Sequence, residues 1–473
     1  MNLWRPSVLV CALLSLSAQA QTTLKAEDEF ARGIFKELIE INTTDSVGSV
    51  TAASEAMAAR LRQAGFTYAD MQLLGPNDRK RNLVVRLRGT GKHKPALLFG
   101  HLDVVEARRE DWTTDPFTFV EKEGYFYGRG TQDMKSGDAI MVSALARLKK
   151  EKFKPSRDII LILTADEEGG KSNGVDWLFK NHRDLVDAEF AINHDGWSVI
   201  SSNGTPQFFD LTATEKVYAD FQLTVTNKGG HSSEPTPDNA IYQLVAGLAR
   251  LQKYEFPFEL NAVTRPYYEK MATIETGERA ADMRAILADP PDMAAVARLS
   301  KDPLDHSTLH TTCVPTRLEG GHANNALPQL ALANVNCRIE PGHPLEDIRH
   351  EIIKVLDDPG ITVRFVADNF EISDKAPDRK AYAPAPLNPV VIKPLEKIVE
   401  QFWPGLKVVP SQSSGATDGV YVNAAGIPTF VIAGIDVDRA DVRAHGRDER
   451  VGVQSFYRGN EFFYQYLKAM AAR

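Results

Sequence analysis

Cysteine is scarce: the 473 residues hold three. Neither Cys313 nor Cys337 has the spacing of a thiolate metal site, which removes sulfur-held metal centres from consideration. An excess of basic charge is missing too. Lys and Arg number 55 against 63 Asp and Glu, a net charge of −8. No dense basic stripe occurs, so nothing here fits a nucleic-acid partner. Long hydrophobic runs are absent as well. The apolar stretch at 8–16 is too short to span a bilayer, and no stable membrane insertion is expected. Repeats and low-complexity tracts are not found.

What remains is ordinary globular composition, 43% hydrophobic and 25% charged. The length exceeds the size at which one core stops growing, so two domains are expected. The N-terminus differs from the rest. Arg5, the apolar stretch 8–16 and the run Ser17, Ala18, Gln19, Ala20 form a secretory signal peptide, cut before Gln21. A periplasmic or secreted protein follows. Val10, not a small residue, precedes Cys11, which argues against a lipoprotein. An oxidising compartment permits a Cys313–Cys337 disulfide, while the apolar run around Cys337 fits free buried thiols equally well.

Apolar periodicity predicts helices at 27–40, 51–64, 134–149 and 173–180. Strands are predicted at 82–88, 95–100, 158–164 and 189–193. This alternation argues for an α/β catalytic domain with a mostly parallel central sheet flanked by helices. The middle of the chain reads differently. Strands at 217–226, 330–339 and 361–366 with helices at 237–252 and 345–356 suggest a smaller α+β unit inserted into the first. Residues 255–310 interrupt it with mixed helical and irregular sequence. A helix at 388–402, a strand at 429–433 and a helix at 453–470 resume the first pattern. The expected division is a signal peptide at 1–20, catalytic segments at 21–213 and 388–473, and an inserted lid at 214–387.

Acids and histidines gather where the predicted strands end, which is where open α/β sheets place their chemistry. His101 ends one strand. Asp103, two residues on, lies on the same side of an extended chain and is placed to orient the imidazole. Asp133 precedes a helix after a glycine-rich turn, where capping would equally explain it, yet a carboxylate can also bridge two metals. Glu167 and Glu168 follow an almost entirely aliphatic strand, where two adjacent negative charges are costly unless cations compensate them. One of the pair can bind metal while the other moves a proton. Asp195, with His194 beside it, ends the next strand, and His445 lies in a loop far downstream. These groups supply enough ligands for two zinc-class ions and suggest a hydrolase, not a binding module. In the middle segment, His231 sits on a flexible turn, placed to stabilise an oxyanion. Arg338, near a strand end, can grip a carboxylate bidentately or serve as a surface ion-pair partner.

The stretches GHLDVV at 100–105, YGRGTQDMKSG at 127–137, DEEGG at 166–170, GGHSS at 229–233 and GATD at 415–418 resemble the M20 family of zinc-dependent peptidases and amidohydrolases. The likeness spans residues 30–473, with 255–310 poorly matched. It implies His101, Asp133 and Asp195 around one zinc and Asp133, Glu168 and His445 around the other, with Co2+ or Mn2+ as alternative ions. It implies Glu167 as general base and then acid, Asp103 as the group orienting His101, and a cis peptide after Asp133. His231 resembles the lid histidine that polarises the scissile carbonyl. Asn325 and Arg338 resemble lid residues contacting the intermediate and the substrate carboxylate, and Asp418 resembles a structural support. The implied activity is hydrolysis of peptides by a carboxypeptidase or dipeptidase using zinc-activated water. The alternative is an aminoacylase acting on N-acyl amino acids. Loss of a ligand would have favoured an inactive binding protein on the same fold, and none is missing. Relatives of this kind either dimerise through the lid or, with enlarged lids, act as single chains.

Overall fold

The strand Ile159–Thr164 is aliphatic to its last residue and buried along its whole length. A strand without polar alternation must be covered on both faces, and this one is. Its side chains divide between two cores. Ile160 and Ile162 join Leu97, Phe99, Val175 and Leu178 on one face, whereas Leu161 and Leu163 join Leu98, Leu145 and Phe463 on the other. The computed structural model describes residues 24–367, 370–377 and 382–472. The expected signal peptide at 1–20 lies outside the described residues.

A ten-stranded sheet organises the larger unit. Its order is Met71–Leu74, Asn82–Leu87, Ile159–Thr164, Ala96–His101, Phe190–Asn193, Thr429–Val431, Thr205–Glu215, Val199–Ser202, Asp436–Asp438, with Val408–Ser413 also pairing Thr205–Glu215. The central strands Ile159–Thr164, Ala96–His101, Phe190–Asn193 and Thr429–Val431 run parallel. Antiparallel pairs occur toward the margins. The helices Ala26–Glu40, Lys135–Lys150, Pro389–Phe402 and Val453–Ala471 cover one face, and Gly174–Asn181 lies on the other. Central parallel strands leave their carboxyl ends aligned at one rim, which is where His101, Glu167 and Asp195 emerge. Thr205–Glu215 and Val408–Ser413 were not expected as strands. Their polar residues, such as Gln207, Asp210, Ser411 and Gln412, obscure the pattern that their pairing reveals.

A second, five-stranded antiparallel sheet runs Thr312–Gly320, Leu330–Ile339, Val217–Thr226, Thr362–Val366, Ile372–Ser373. Val217–Thr226 alternates buried and more exposed positions, as a sheet covered on one face requires. Helices Ala240–Lys253 and Leu345–Leu356 supply that cover. The first of these starts three residues later than periodicity suggests, because the Asn239 side chain accepts the amides of Ile241 and Tyr242 at 2.9 and 3.3 Å. Cys313 and Cys337 face each other on neighbouring strands and form a disulfide, which resolves the two cysteine readings.

Residues 255–310 carry order of their own. Four short helices, Thr264–Met271, Gly277–Ala285, Met293–Leu299 and Pro303–Leu309, surround Tyr268, Met283 and Ile286. This core continues onto Phe208 and Val409 of the ten-stranded sheet. The segment therefore packs against the large sheet rather than merely interrupting the small one. Among the described residues, no helix is long and apolar enough to cross a membrane.

Candidate active site

His101 closes its strand fully buried, and the chain stays bridged one residue further through the Leu102 amide to the Thr164 carbonyl at 2.8 Å. This fixes the imidazole. Nδ1 lies 3.0 Å from the Asp103 carbonyl oxygen, and Nε2 lies 3.0 Å from Asp133 Oδ1. The Asp103 carboxylate is farther from the ring, at 3.7 Å. It accepts the backbone amides of Glu167 and Glu168 instead, at 3.3 and 3.0 Å. Asp103 thus holds the imidazole with its backbone and the glutamate turn with its side chain. Burial pushes its carboxyl up to about 6.

Asp133 stands between two histidines. Its Oδ1 is 3.0 Å from His101 Nε2 and its Oδ2 is 3.0 Å from His445 Nε2. Burial would raise this carboxyl, but the hydrogen bonds with His101 and His445 prevail and hold it below its ordinary value. The peptide between Asp133 and Met134 is cis. Gly130, three residues earlier, has φ +91°, and a Cβ there would meet the Lys135 chain at 2.9 Å.

The two glutamates have different neighbours. Glu168 lies 2.9 Å from His445 Nε2. Glu167 Oε2 reaches no closer than 4.0 Å to the His101 ring. Its carboxyl is pushed well up by burial, with the nearby Asp195, Asp418 and Glu168 adding to the shift against His101. Asp195 Oδ2 is 4.0 Å from His101 Nε2, and burial together with Asp133 raises its carboxyl to about 7. His445, between Asp133 and Glu168, is raised to about 10 by its hydrogen bonds with them. Asp418 is raised to about 7 by burial and accepts Asn173 Nδ2 at 2.6 Å, a contact that ties it to the segment behind the glutamates. His194 goes elsewhere. It packs against Phe463 at 4.8 Å between ring centroids and against Gly137, where a Cβ would come within 2.7 Å of its Nδ1.

Two ligand sets emerge, each with its donor atoms within 4.8 Å of one another. They are His101, Asp133 and Asp195, and then Asp133, Glu168 and His445. Both contain oxygen and imidazole nitrogen without sulfur, and they share one carboxylate through its two oxygens. This donor chemistry fits a pair of zinc-class divalent cations. Glu167 belongs to neither set.

Sequence reasoning overlooked Glu449. It is fully buried, and its carboxylate accepts the amides of Gly130, Gln132 and Asp133 at 3.0, 2.6 and 3.0 Å while pairing with Arg129 Nη1 at 2.7 Å. Its sequence surroundings, Arg447, Asp448 and Arg450, read as a solvated charged loop, and no local signal marks it.

A cleft of about 1000 Å³ opens above these groups. Glu167, Glu168, Asp195 and His445 line it, as does Arg338 from the small sheet. A further wall is apolar, made by Trp197, Ile200, Phe208, Tyr267, Leu304 and Val437. Arg338 stacks its guanidinium on Tyr218, 4.8 Å from the ring centroid. His231 and Asn325 are brought together but not into this cleft. The two-residue strands Gly230–His231 and Ala326–Leu327 pair, the Ser232 amide bonds the Asn325 carbonyl at 3.0 Å, and both residues are exposed.

The model of peptidase family M20/M25/M40 matches residues 97–469. The human N-fatty-acyl-amino acid synthase/hydrolase PM20D1 is 26% identical, with 79% of this chain and 74% of that protein covered. Mouse aminoacylase-1 is 24% identical over 93% of this chain and 95% of its own. In fold, the M20 family metallo-carboxypeptidase Sso-CP2 of Sulfolobus solfataricus superposes with a TM-score of 0.66 at 17% identity, covering 95% of this chain and all of that one (100%).

Proposed function

Since this chain belongs to peptidase family M20/M25/M40, we propose that it hydrolyses amide bonds whose amine-side product carries a free carboxylate, as a secreted or periplasmic carboxypeptidase or dipeptidase using two zinc ions. The observation that carries this reading is the placement of Asp133, 3.0 Å from both His101 and His445, beside a Glu167 that no ligand set claims. Two cations held there would supply Lewis acidity and lower the pKa of water. Glu167 takes the proton from the attacking water and delivers it to the departing nitrogen, a role open to it because it lines the cleft and belongs to neither ligand set. Asp103 keeps the glutamate turn and the His101 ring in register through that exchange. Arg338 meets the substrate carboxylate with its planar fork.

The apolar wall of Ile200, Phe208, Tyr267 and Leu304 favours a second reading, an aminoacylase-type enzyme accepting a large apolar acyl group. PM20D1 is named for N-fatty-acyl amino acids, which carry such a group. A panel of dipeptides, N-blocked peptides and N-acyl amino acids, assayed with zinc, separates the two. Replacing Arg338 by Met is expected to raise KM about 10- to 100-fold for every substrate with a free carboxylate, through loss of charge-assisted hydrogen bonds. Amidated analogues should be unaffected. Equal effects on both series would remove Arg338 from the clamp role.

Assembly belongs to the same proposal. His231 and Asn325 lie outside the lining of their own cleft, and Thr312–Gly320 is the terminal strand of its sheet, with Val314 and Leu318 exposed. Leu318, opposed to Ala333, lies on the helix-covered face, where Tyr242 and Val245 are also exposed, whereas Val314, opposed to Asn336, lies on the other face, so the terminal strand offers an apolar edge. A homodimer through it would bring His231 to the partner's cleft. Its solution mass should be twice that of the chain. Mixing inactive Glu167→Gln and His231→Ala proteins under exchange conditions should restore activity, and a mixture as dead as its components would refute supply from the partner.

A further inference from the structure

We propose that Glu449 is a positioning residue that sets the two metal-ligand sets relative to each other, by clamping the loop of Asp133 onto the loop of His445. The carboxylate is wholly buried, yet each of its oxygens is taken up twice. Oε1 accepts the amides of Gln132 and Asp133, and Oε2 accepts the Gly130 amide and Arg129 Nη1. All four donors come from residues 129–133, the turn that delivers the shared ligand. Glu449 itself follows His445 by four residues, on the loop that delivers the ligand to the other side.

Nearby bonds reinforce the seam. Gln132 Oε1 accepts the Arg443 amide at 2.6 Å, and its Nε2 donates to the Asp441 carbonyl at 3.2 Å. The Gly128 amide reaches the Glu449 carbonyl at 3.2 Å, and Arg129 Nη2 the His445 carbonyl at 3.4 Å. Arg129 balances the buried charge and lies over the Trp112 ring, 5.0 Å from its centroid. The arrangement matters because Asp133 must present one oxygen to each side. A bridging carboxylate tolerates little rotation, and its own amide is one of the four donors Glu449 holds. Removing the clamp orphans three amides, one buried and two part-buried, and a turn relaxing to satisfy them turns Asp133 away from one side.

This inference rests on the two-cation reading, and the test keeps the two apart. Metal-free protein is titrated with Co2+, following binding and the visible absorption of the bound ion. The wild type should take up two ions per chain, and failure at that step refutes the two-cation reading itself. Glu449→Gln and Glu449→Ala should then bind the weaker of the two ions about 10- to 100-fold less tightly, with an altered Co2+ spectrum. They should lose kcat with KM unchanged, and the Gln variant, which keeps one acceptor oxygen, should be less affected than Ala. Asp305→Asn provides the comparison. It removes a buried carboxylate paired with Arg279 at 2.5 Å in the helical segment and should lower stability without changing Co2+ affinity. Two ions bound at wild-type affinity and spectrum in the Glu449 variants would overturn the proposal. So would equal weakening in Asp305→Asn, or failure of both Glu449 variants to fold in the presence of metal, since each would mark a purely structural carboxylate.

Discussion

Glu167→Gln is expected to lower kcat by about 10²–10⁴-fold, the range general acid–base groups contribute, while metal content and KM stay at wild-type values. The residue faces the cleft, stands outside both ligand sets and has no ligand within normal hydrogen-bond range of its Oε2 at the His101 ring, 4.0 Å away. Glutamine keeps the volume and removes the proton acceptor. Steady-state kinetics with metal analysis on the same samples tests this. Near-wild-type turnover would move the acid–base role to another group. Loss of both metals along with activity would mean that Glu167 is a ligand.

The largest effect of all is expected at Asp133. Its two oxygens serve both ligand sets, so Asp133→Ala damages both at once, where Asp195→Ala or Glu168→Ala each removes a donor from one. Bound zinc should fall from two ions per chain to less than one, and hydrolysis should drop below detection. Thermal melts offer an independent reading. Ligands that bind the native state alone stabilise it in proportion to their affinity, so added zinc should raise the melting temperature of the wild type and leave that of Asp133→Ala almost unmoved. Retention of two ions by the variant would contradict a shared carboxylate.

Much of this was legible in the sequence because local chemistry and local geometry agree. Ile159–Thr164 announces a doubly covered strand by composition alone, and two acids directly after such a strand call for compensation. The same logic found His101 and Asp195 at strand ends. It stopped where burial is decided far away. Glu449 sits in a run of charged residues indistinguishable from solvated loop, and only the turn at 129–133, more than 300 positions earlier, makes it interior. Asp103 was readable as the residue that orients His101 but not as one that does so through its carbonyl, because the choice depends on the amides of Glu167 and Glu168 competing for the carboxylate. The segment 255–310 read as mixed helical and irregular without individual helices being placed, because each is short and their hydrophobic face makes sense only against Phe208 and Val409.

The split of the large sheet has a consequence for the order in which the molecule can become competent. His101, Asp133, Glu168 and Asp195 are all made before the small sheet, but His445 and Glu449 follow the whole of it, and His445 meets Glu168 across 277 positions. The terminal helix Val453–Ala471, which packs on Lys135–Lys150, comes later still. Such long-range closures are the slow, late contacts of folding. A nascent chain therefore carries one ligand set once Asp195 is made and acquires the second only when His445 follows, so a product truncated between them lacks the second set by construction.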